Sequence, residues 1–370
     1  MNRRPKAEKK QIKYFDYTLL FIIIFLVGFG LVMLYSTSSY NAQLRFGNSA
    51  YYLRKQLFAS LLGFAGMFVV ASIDYHIWMR LSGLAYIGAL GLCILVIFKG
   101  SNYNGSTRWL EIGPISFQPS EIAKMAVILF LATIINRIPK QMGKFSAVVK
   151  VMLIVMPVLA VVGYSNLSTA IIILGIAVFM VFVSSPKYAQ FFLIGGFVGV
   201  FGAIFIALEG YRAERIRIWF HPEDYEKGYQ TLQGLYAIGS GGLFGKGLGE
   251  SMQKLGFVPE AQNDMIFSII CEELGLFGAI CIILLFLLLI WRFLVIANNA
   301  SDLFGALIVV GIMAHIAIQV ILNIAVVTNS IPNTGVTLPF VSYGGTSAAI
   351  LLTEMGLALS VSRGIKLEMV

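Results

Sequence analysis

Asp264-Met-Ile-Phe-Ser-Ile-Ile-Cys-Glu-Glu-Leu-Gly-Leu-Phe-Gly-Ala-Ile-Cys-Ile-Ile-Leu-Leu-Phe-Leu-Leu-Leu-Ile-Trp-Arg-Phe-Leu-Val295 is the stretch on which the fold turns. After Asp264, every residue except Ser268, Glu272, Glu273 and Arg292 is apolar or glycine. A helix rises about 1.5 Å per residue, so about 20 such residues cross the hydrocarbon core of a bilayer. The run therefore reads as a transmembrane helix with a carboxylate at its head. A carboxylate at the rim of a bilayer is costly unless it faces water, a partner or a substrate.

Working outward, comparable runs recur along the chain. The spans expected are about 15–37, 53–73, 79–98, 119–138, 146–163, 167–183, 188–208, 264–295, 303–327 and 346–362. Only 12% of the 370 residues are charged and 58% are hydrophobic, against roughly 25% charged in soluble domains. The fold class is an all-α polytopic membrane protein with about ten transmembrane helices. Its organisation is a basic tail at 1–14, one transmembrane domain at 15–362 with a large loop at 209–263, and a tail at 363–370. The first run lacks a small-residue cleavage site and reads as a retained helix. Cys93, Cys271 and Cys281 all lie in apolar runs, as buried small hydrophobes do.

The net charge of +9 does not point to nucleic acid once it is mapped. Arg3, Arg4, Lys6, Lys9, Lys10 and Lys13 precede the first span, as in a cytoplasmic anchor beside anionic membrane lipids. With that tail inside, an even number of spans returns the C-terminus to the cytoplasm. Arg80, Arg137, Lys140, Lys144, Lys150, Lys187 and Arg292 then fall on the inner side, and the 209–263 loop between spans seven and eight is extracellular. The basic residues placed against this bias concentrate in 99–124 and 209–264.

Several constellations have a bland and a functional reading. Ser120 can cap a helix that starts after Pro119, and Glu121 and Lys124 are spaced to pair on its face. Alternatively they wall an outward cavity in which Lys124 meets an anionic group. Arg212, Arg215 and Arg217 suit phosphate oxygens, whether of a pyrophosphate or of lipid headgroups. The glycine run Gly239–Gly249 fails both the Walker A and the dinucleotide patterns, and suits tight turns or close backbone approach. Glu272 and Glu273 lie roughly 80° and 180° round the helix from Asp264 and read as interhelical pairs. His315, Gln319 and Asn323 share one face, as hydrogen-bond glue or as a proton or ion path. The uncharged, turn-rich 331–346 connection suits a loop re-entering a protein-lined cavity. Asp264 itself is either a helix cap or a catalyst.

Taken together, these residues resemble the SEDS family (shape, elongation, division and sporulation; FtsW, RodA and SpoVE). The resemblance rests on Arg54–Gln56, Asn104-Gly105 with Arg108-Trp109, Phe117-Gln-Pro-Ser-Glu121 with Lys124, and Tyr211-Arg212 with Arg215. It continues through Tyr229-Gln230, Gly239–Gly249 with Ser251 and Lys254, Pro259-Glu260 with Asp264 and Phe267, Glu272-Glu273, and Pro332 through Ser347. Ala261 and Thr337 look more like FtsW and SpoVE than RodA. Three places depart from the family pattern: Asn166 where an acid is usual, Gln262-Asn263 for His-Thr, and His221-Pro222 for Asp-Pro.

The resemblance implies a peptidoglycan glycosyltransferase that polymerises lipid II at the outer face of the cytoplasmic membrane, in division or sporulation. Asp264 would be its catalytic carboxylate. The substrate-binding candidates are Arg54, Arg108, Trp109, Glu121, Lys124, Arg212, Arg215, Lys254, Glu260, Ser342 and Tyr343. A divalent cation, Mg2+ or Mn2+, would suit the pyrophosphate, although no ligand spacing fixes a site. The implied partners are a class B penicillin-binding protein supplying transpeptidation and other division or elongation proteins. A lipid II flippase and a non-catalytic division scaffold remain as alternative readings.

Overall fold

The protein is described by a computed structural model covering residues 14–103, 106–113, 115–187, 190–191, 195–196 and 217–365. Ten helices are named here: α1 (Tyr17–Phe46), α2 (Tyr51–Ser72), α3 (His76–Lys99), α4 (Pro119–Arg137), α5 (Phe145–Ser165), α6 (Leu167–Ser184), α7 (Tyr229–Gly241), α8 (Ile266–Asn298), α9 (Leu303–Val327) and α10 (Gly345–Arg363). All except α7 are long and apolar enough to cross a membrane, which gives nine such helices among the described residues. The expected span at 188–208 lies mostly outside those residues.

Local chemistry sets the helix ends. Asp16 caps α1 by accepting the Leu19 N–H at 2.8 Å, and Gly47 closes the helix at φ 65°. Asp302 caps α9 through the Gly305 N–H at 2.8 Å. Asn166 caps α6 through the Thr169 N–H at 3.2 Å. Capping needs only a side-chain oxygen, so Asn and Asp serve about equally well there. The Ser120 cap is not found: α4 starts at Pro119 with Gln118 before it, and the Ser120 hydroxyl accepts from Gln118 Nε2 at 2.9 Å. Proline fits that first position because its missing N–H would be unpaired anyway.

The all-α expectation overlooks one small element. Strands β1 (Ser101–Tyr103), β2 (Ser106–Ile112) and β3 (Ile115–Phe117) form an antiparallel meander between α3 and α4. Tyr103 pairs with Ser106. In the sequence Asn104-Gly105 stands between these strands, and Asn-Gly in that setting is a strong hairpin signal.

The helices α4, α9 and α10 form the centre, with 67%, 72% and 67% of their spanning windows buried, against 28% for α3. Side-chain bonds fix which ends lie together. At one end, Asp16 N–H donates to Ser362 Oγ at 3.3 Å, Arg292 pairs with Asp16, Arg363 donates to Ala71 O at 2.8 Å, and Tyr75 bonds Asp302. At the other end, Gln56 Oε1 accepts the N–H groups of Gly344 and Gly345 at 3.1 and 3.0 Å, and Thr346 donates to Ser116 O at 2.9 Å. Asp264 belongs to this second end.

The loop before α8 does more than join helices. α8 is broken at Gly275, whose φ is 66°. Lys246 and Gly247 donate backbone N–H groups to the carbonyls of Glu272 and Glu273 at 2.9 and 3.0 Å. Leu276 and Phe277 donate in turn to the carbonyls of Gly242 and Leu243 at 2.9 and 3.0 Å. The glycine run thus supplies the close backbone approach its composition suggested. The glutamates meet the interhelical expectation only in part, because their basic partners come from the loop. Glu272 binds Lys246 at 2.7 Å and Ser251, both in the loop. Glu273 binds Lys254 at 2.8 Å, again in the loop, and Ser36 of α1 at 2.7 Å.

Candidate active site

Asp264 lies in the turn before α8 and is 8% exposed. It does not cap the helix: Met265 occupies the cap position, with no side-chain cap bond. Its Oδ1 accepts from Gln230 Nε2 of α7 at 3.3 Å, and Gln230 Nε2 also reaches Pro259 O at 3.2 Å. On the opposite side, Asn323 of α9 donates to Asp264 O at 2.8 Å and to Val336 O at 2.7 Å. A Cβ built on Gly335 (φ 67°) would lie 3.8 Å from Asp264 Oδ2. Asn333 donates to Gln230 Oε1 at 3.1 Å. The 332–343 loop therefore folds back over the carboxylate, as the re-entrant reading of that connection requires.

Five carboxylates are buried among the described residues: Asp16, Asp264, Glu272, Glu273 and Glu354. Asp16 has Arg292, Glu272 has Lys246, Glu273 has Lys254, and Glu354 has His315. Asp264 alone lacks a basic partner among the described residues. Burial therefore dominates its titration and pushes the pKa up to about 6, with the nearby Glu260 charge adding to the rise and the Gln230 bond opposing it.

One turn along α9 from Asn323 stands Gln319, a rise of about 6 Å. Its Oε1 accepts from Lys124 Nζ at 3.3 Å, and its Nε2 donates to Thr337 O at 3.1 Å. Lys124 is 1% exposed and pairs with Glu121 at 3.0 Å, so the expected pair forms. Asp264, Lys124 and Glu121 are thus brought to one side of α9 and tied to one loop. Four buried side-chain oxygens in these segments, Gln262 Oε1, Asn263 Oδ1, Asn323 Oδ1 and Thr334 Oγ1, have no donor among the described residues.

The other candidates divide. Ser342 is buried and accepts the Leu338 N–H at 2.8 Å. Tyr343 donates its N–H to Gln262 O at 2.9 Å and meets the Tyr52 ring edge-on at 5.0 Å. Both shape the loop. Glu260 is exposed, at φ 52°, and accepts from Asn263 at 2.6 Å. Arg54 is exposed near the start of α2. Arg108 and Trp109 lie on β2, and Arg108 Nε donates to Ser165 O at 3.1 Å. A small pocket there is lined by Arg108, Gln118, Ser120 and Asn166 among others. Lys254 does not join the site: its ammonium is taken up by Glu273, Ser36 and Gly249 O at 2.8, 3.0 and 2.6 Å. Arg212 and Arg215 lie outside the described residues. Among those described, the one group of ligating side chains close enough to share a metal ion is His221, Glu223 and Asp224, all exposed and without Asp264.

A family model described as "Cell cycle protein" and named for FtsW, RodA and SpoVE matches residues 17–367. The chain belongs to the FtsW/RodA/SpoVE family. It is similar to Stage V sporulation protein E of Bacillus subtilis (strain 168), with 39% identity over 355 residues, 94% of this chain and 97% of that protein. Probable peptidoglycan glycosyltransferase FtsW of Trichlorobacter lovleyi is 36% identical over 360 residues, 95% of this chain and 94% of its own. Among solved structures, a chain of a peptidoglycan synthase complex coordinating polymerization and crosslinking superposes with TM-score 0.80 at 28% identity, covering 94% of this chain and 98% of that one. The rod shape determining protein RodA of Thermus thermophilus gives 0.69 at 27% identity, covering 94% and 97%. As an FtsW/RodA/SpoVE family member with this span array, the chain is a multi-pass protein of the bacterial cytoplasmic membrane.

Proposed function

We propose that this protein is a peptidoglycan glycosyltransferase that polymerises lipid II, with Asp264 as general base. The observation that carries the reading is that buried Asp264 lacks a basic partner among the described residues. A buried carboxylate without a cation costs stability, and the fold tolerates that cost at this position only among the described ones. Relatives named as peptidoglycan glycosyltransferases support the same chemistry. Family resemblance and the charge bias of the loops support an outward-facing site, with both termini cytoplasmic.

In the reaction, the C4 hydroxyl of an acceptor GlcNAc attacks C1 of a donor MurNAc. The glycosidic bond forms, the C1–O bond to undecaprenyl pyrophosphate breaks, and the hydroxyl proton passes to Asp264. A base with a pKa near 6 is largely ionised at neutral pH yet strong enough to accept that proton. Lys124, held between Glu121 and Gln319, provides the buried positive charge for the departing pyrophosphate. The unpaired oxygens of Gln262, Asn263, Asn323 and Thr334 suit the hydroxyl and amide donors of amino sugars. Cross-linking falls to a separate transpeptidase, a class B penicillin-binding protein, which the similarity to the synthase-complex chain supports.

The test is purified protein with lipid II. Wild type is expected to make glycan polymer, and Asp264→Asn to lose at least about 100-fold in rate while remaining folded. Full activity in that variant would remove Asp264 as base; lipid II translocation without polymer would replace the enzyme reading with transport.

A further inference from the structure

We propose that the buried His315–Glu354 pair is a positioning device: together with Lys124 it locks the Gln319 amide in one orientation, and Gln319 holds the Val336–Thr337 segment beside Asp264. The proposal rests on the glycosyltransferase reading and adds two residues to it.

The argument is one of donors and acceptors. Lys124 carries only donors, so the end of Gln319 facing it at 3.3 Å is the oxygen. That oxygen also lies 3.0 Å from His315 Nε2. His315 Nε2 must therefore carry a proton. Its Nδ1 faces both oxygens of Glu354 at 3.0 Å. With Nε2–H fixed, the pair is either imidazolium with carboxylate or neutral imidazole with carboxylic acid. Both forms hold the same number of protons and are neutral overall.

Glu354 thus anchors the imidazole with its Nε2–H toward Gln319. His315 and Glu354 are each 1% exposed at the bundle centre, where water does not compete. Among the described residues Gln319 meets Lys124 from α4, which Glu121 pairs in turn, His315 from α9, and the uncharged Thr337 from the loop. With Gln319 Oε1 engaged by two donors, its Nε2 is left to the Thr337 carbonyl. A flipped amide would set NH2 against an ammonium and an N–H, and oxygen against a carbonyl. Neither His315 nor Glu354 bonds Asp264. They act through Gln319, one turn from Asn323, which clamps Val336 O and Asp264 O together.

The variants separate positioning from packing. In Glu354→Gln the amide donates to Nδ1 of a neutral His315, so Nε2 keeps its proton and Gln319 its orientation. The double variant His315→Phe/Glu354→Leu replaces a buried pair with apolar groups, a change that folds tolerate well, and removes the second donor to Gln319. Sub-ångström placement governs such sites. The double variant is expected to lower kcat about tenfold or more, with KM for lipid II within about threefold. Glu354→Gln should stay within about threefold on both. Hydrogen exchange over 332–343 should quicken in the double variant alone. Wild-type kcat and exchange in the double variant would overturn the proposal, as would equal losses in both variants. If wild type makes no polymer, the enzyme reading fails, and exchange over 332–343 decides the positioning role by itself.

Discussion

Asp264 makes a definite demand on stability. Its folded pKa of about 6 lies above the ordinary 3.8, so the folded state binds the proton more tightly than the unfolded chain. As pH rises from about 4 through 6, ionisation destabilises the fold, and above 6 the cost levels off at roughly 3 kcal/mol. Asp264→Asn should therefore melt higher than wild type at pH 7.5, by on the order of 5 °C, and the gap should close near pH 4. In the same window kcat/KM of wild type should rise with pH through about 6 and then flatten, because the base must be ionised. A pH–rate profile and paired melting curves check both signs. An inactive variant that melts no higher would contradict the assignment of a desolvated base. Asp264, Glu121 and Lys124 were legible in the sequence because a charge in apolar surroundings is conspicuous. Gln230 and Asn333 were not singled out as site residues, since a neutral amide gains its role only from what the fold sets opposite it.

At the level of elements, the broken helix is the least legible feature. The run from Met265 to Val295 reads as one continuous span, and Gly275 looks like an ordinary small residue in it. What breaks the helix is 242–247, some 30 residues earlier, which takes over the hydrogen bonds on both sides of the break. At Gly275 a side chain would meet two obstacles: a left-handed backbone at φ 66° and the Leu243 carbonyl carbon at 2.6 Å. Gly275→Ala is expected to destabilise by about 3 kcal/mol or more, read as a lower melting temperature in detergent. Gly28→Ala is the control. A Cβ there meets nothing within 4 Å inside α1, and the gain in helix propensity should leave the protein as stable or slightly more so. Equal effects at the two glycines would mean that the break carries no special constraint. The nine described spans, by contrast, followed from their length and composition, which depend little on tertiary context.

For the whole molecule, the bundle has two chemically different ends. One gathers Asp16, Arg292, Arg363 and the Tyr75–Asp302 bond; the other gathers Asp264, the meander and the glycine loop. On the charge bias, the first is expected on the cytoplasmic side. Cysteines introduced at the exposed Arg45 and Asn298 test this. A membrane-impermeant maleimide applied to intact cells should label Arg45→Cys and not Asn298→Cys. The reverse pattern would place Asp264 on the inner side and exclude a reaction on the outer face. The orientation rests on counted charges alone, and the labelling decides it. The grouping of Lys124 with the 332–343 loop was not legible in the sequence, because those segments lie some 200 residues apart and are bridged by Gln319.

The borrowed bonds at Gly275 also set an order of events. Backbone groups left open in hydrocarbon cost several kcal/mol each, so the second half of α8 cannot settle until its donors and acceptors are at hand. Those lie at 242–247 and leave the ribosome before 272–277 does. In vectorial synthesis the glycine run is therefore already waiting when the helix that needs it is inserted. A circular permutation that placed 242–247 after α8 would keep every contact of the finished protein and reverse that sequence.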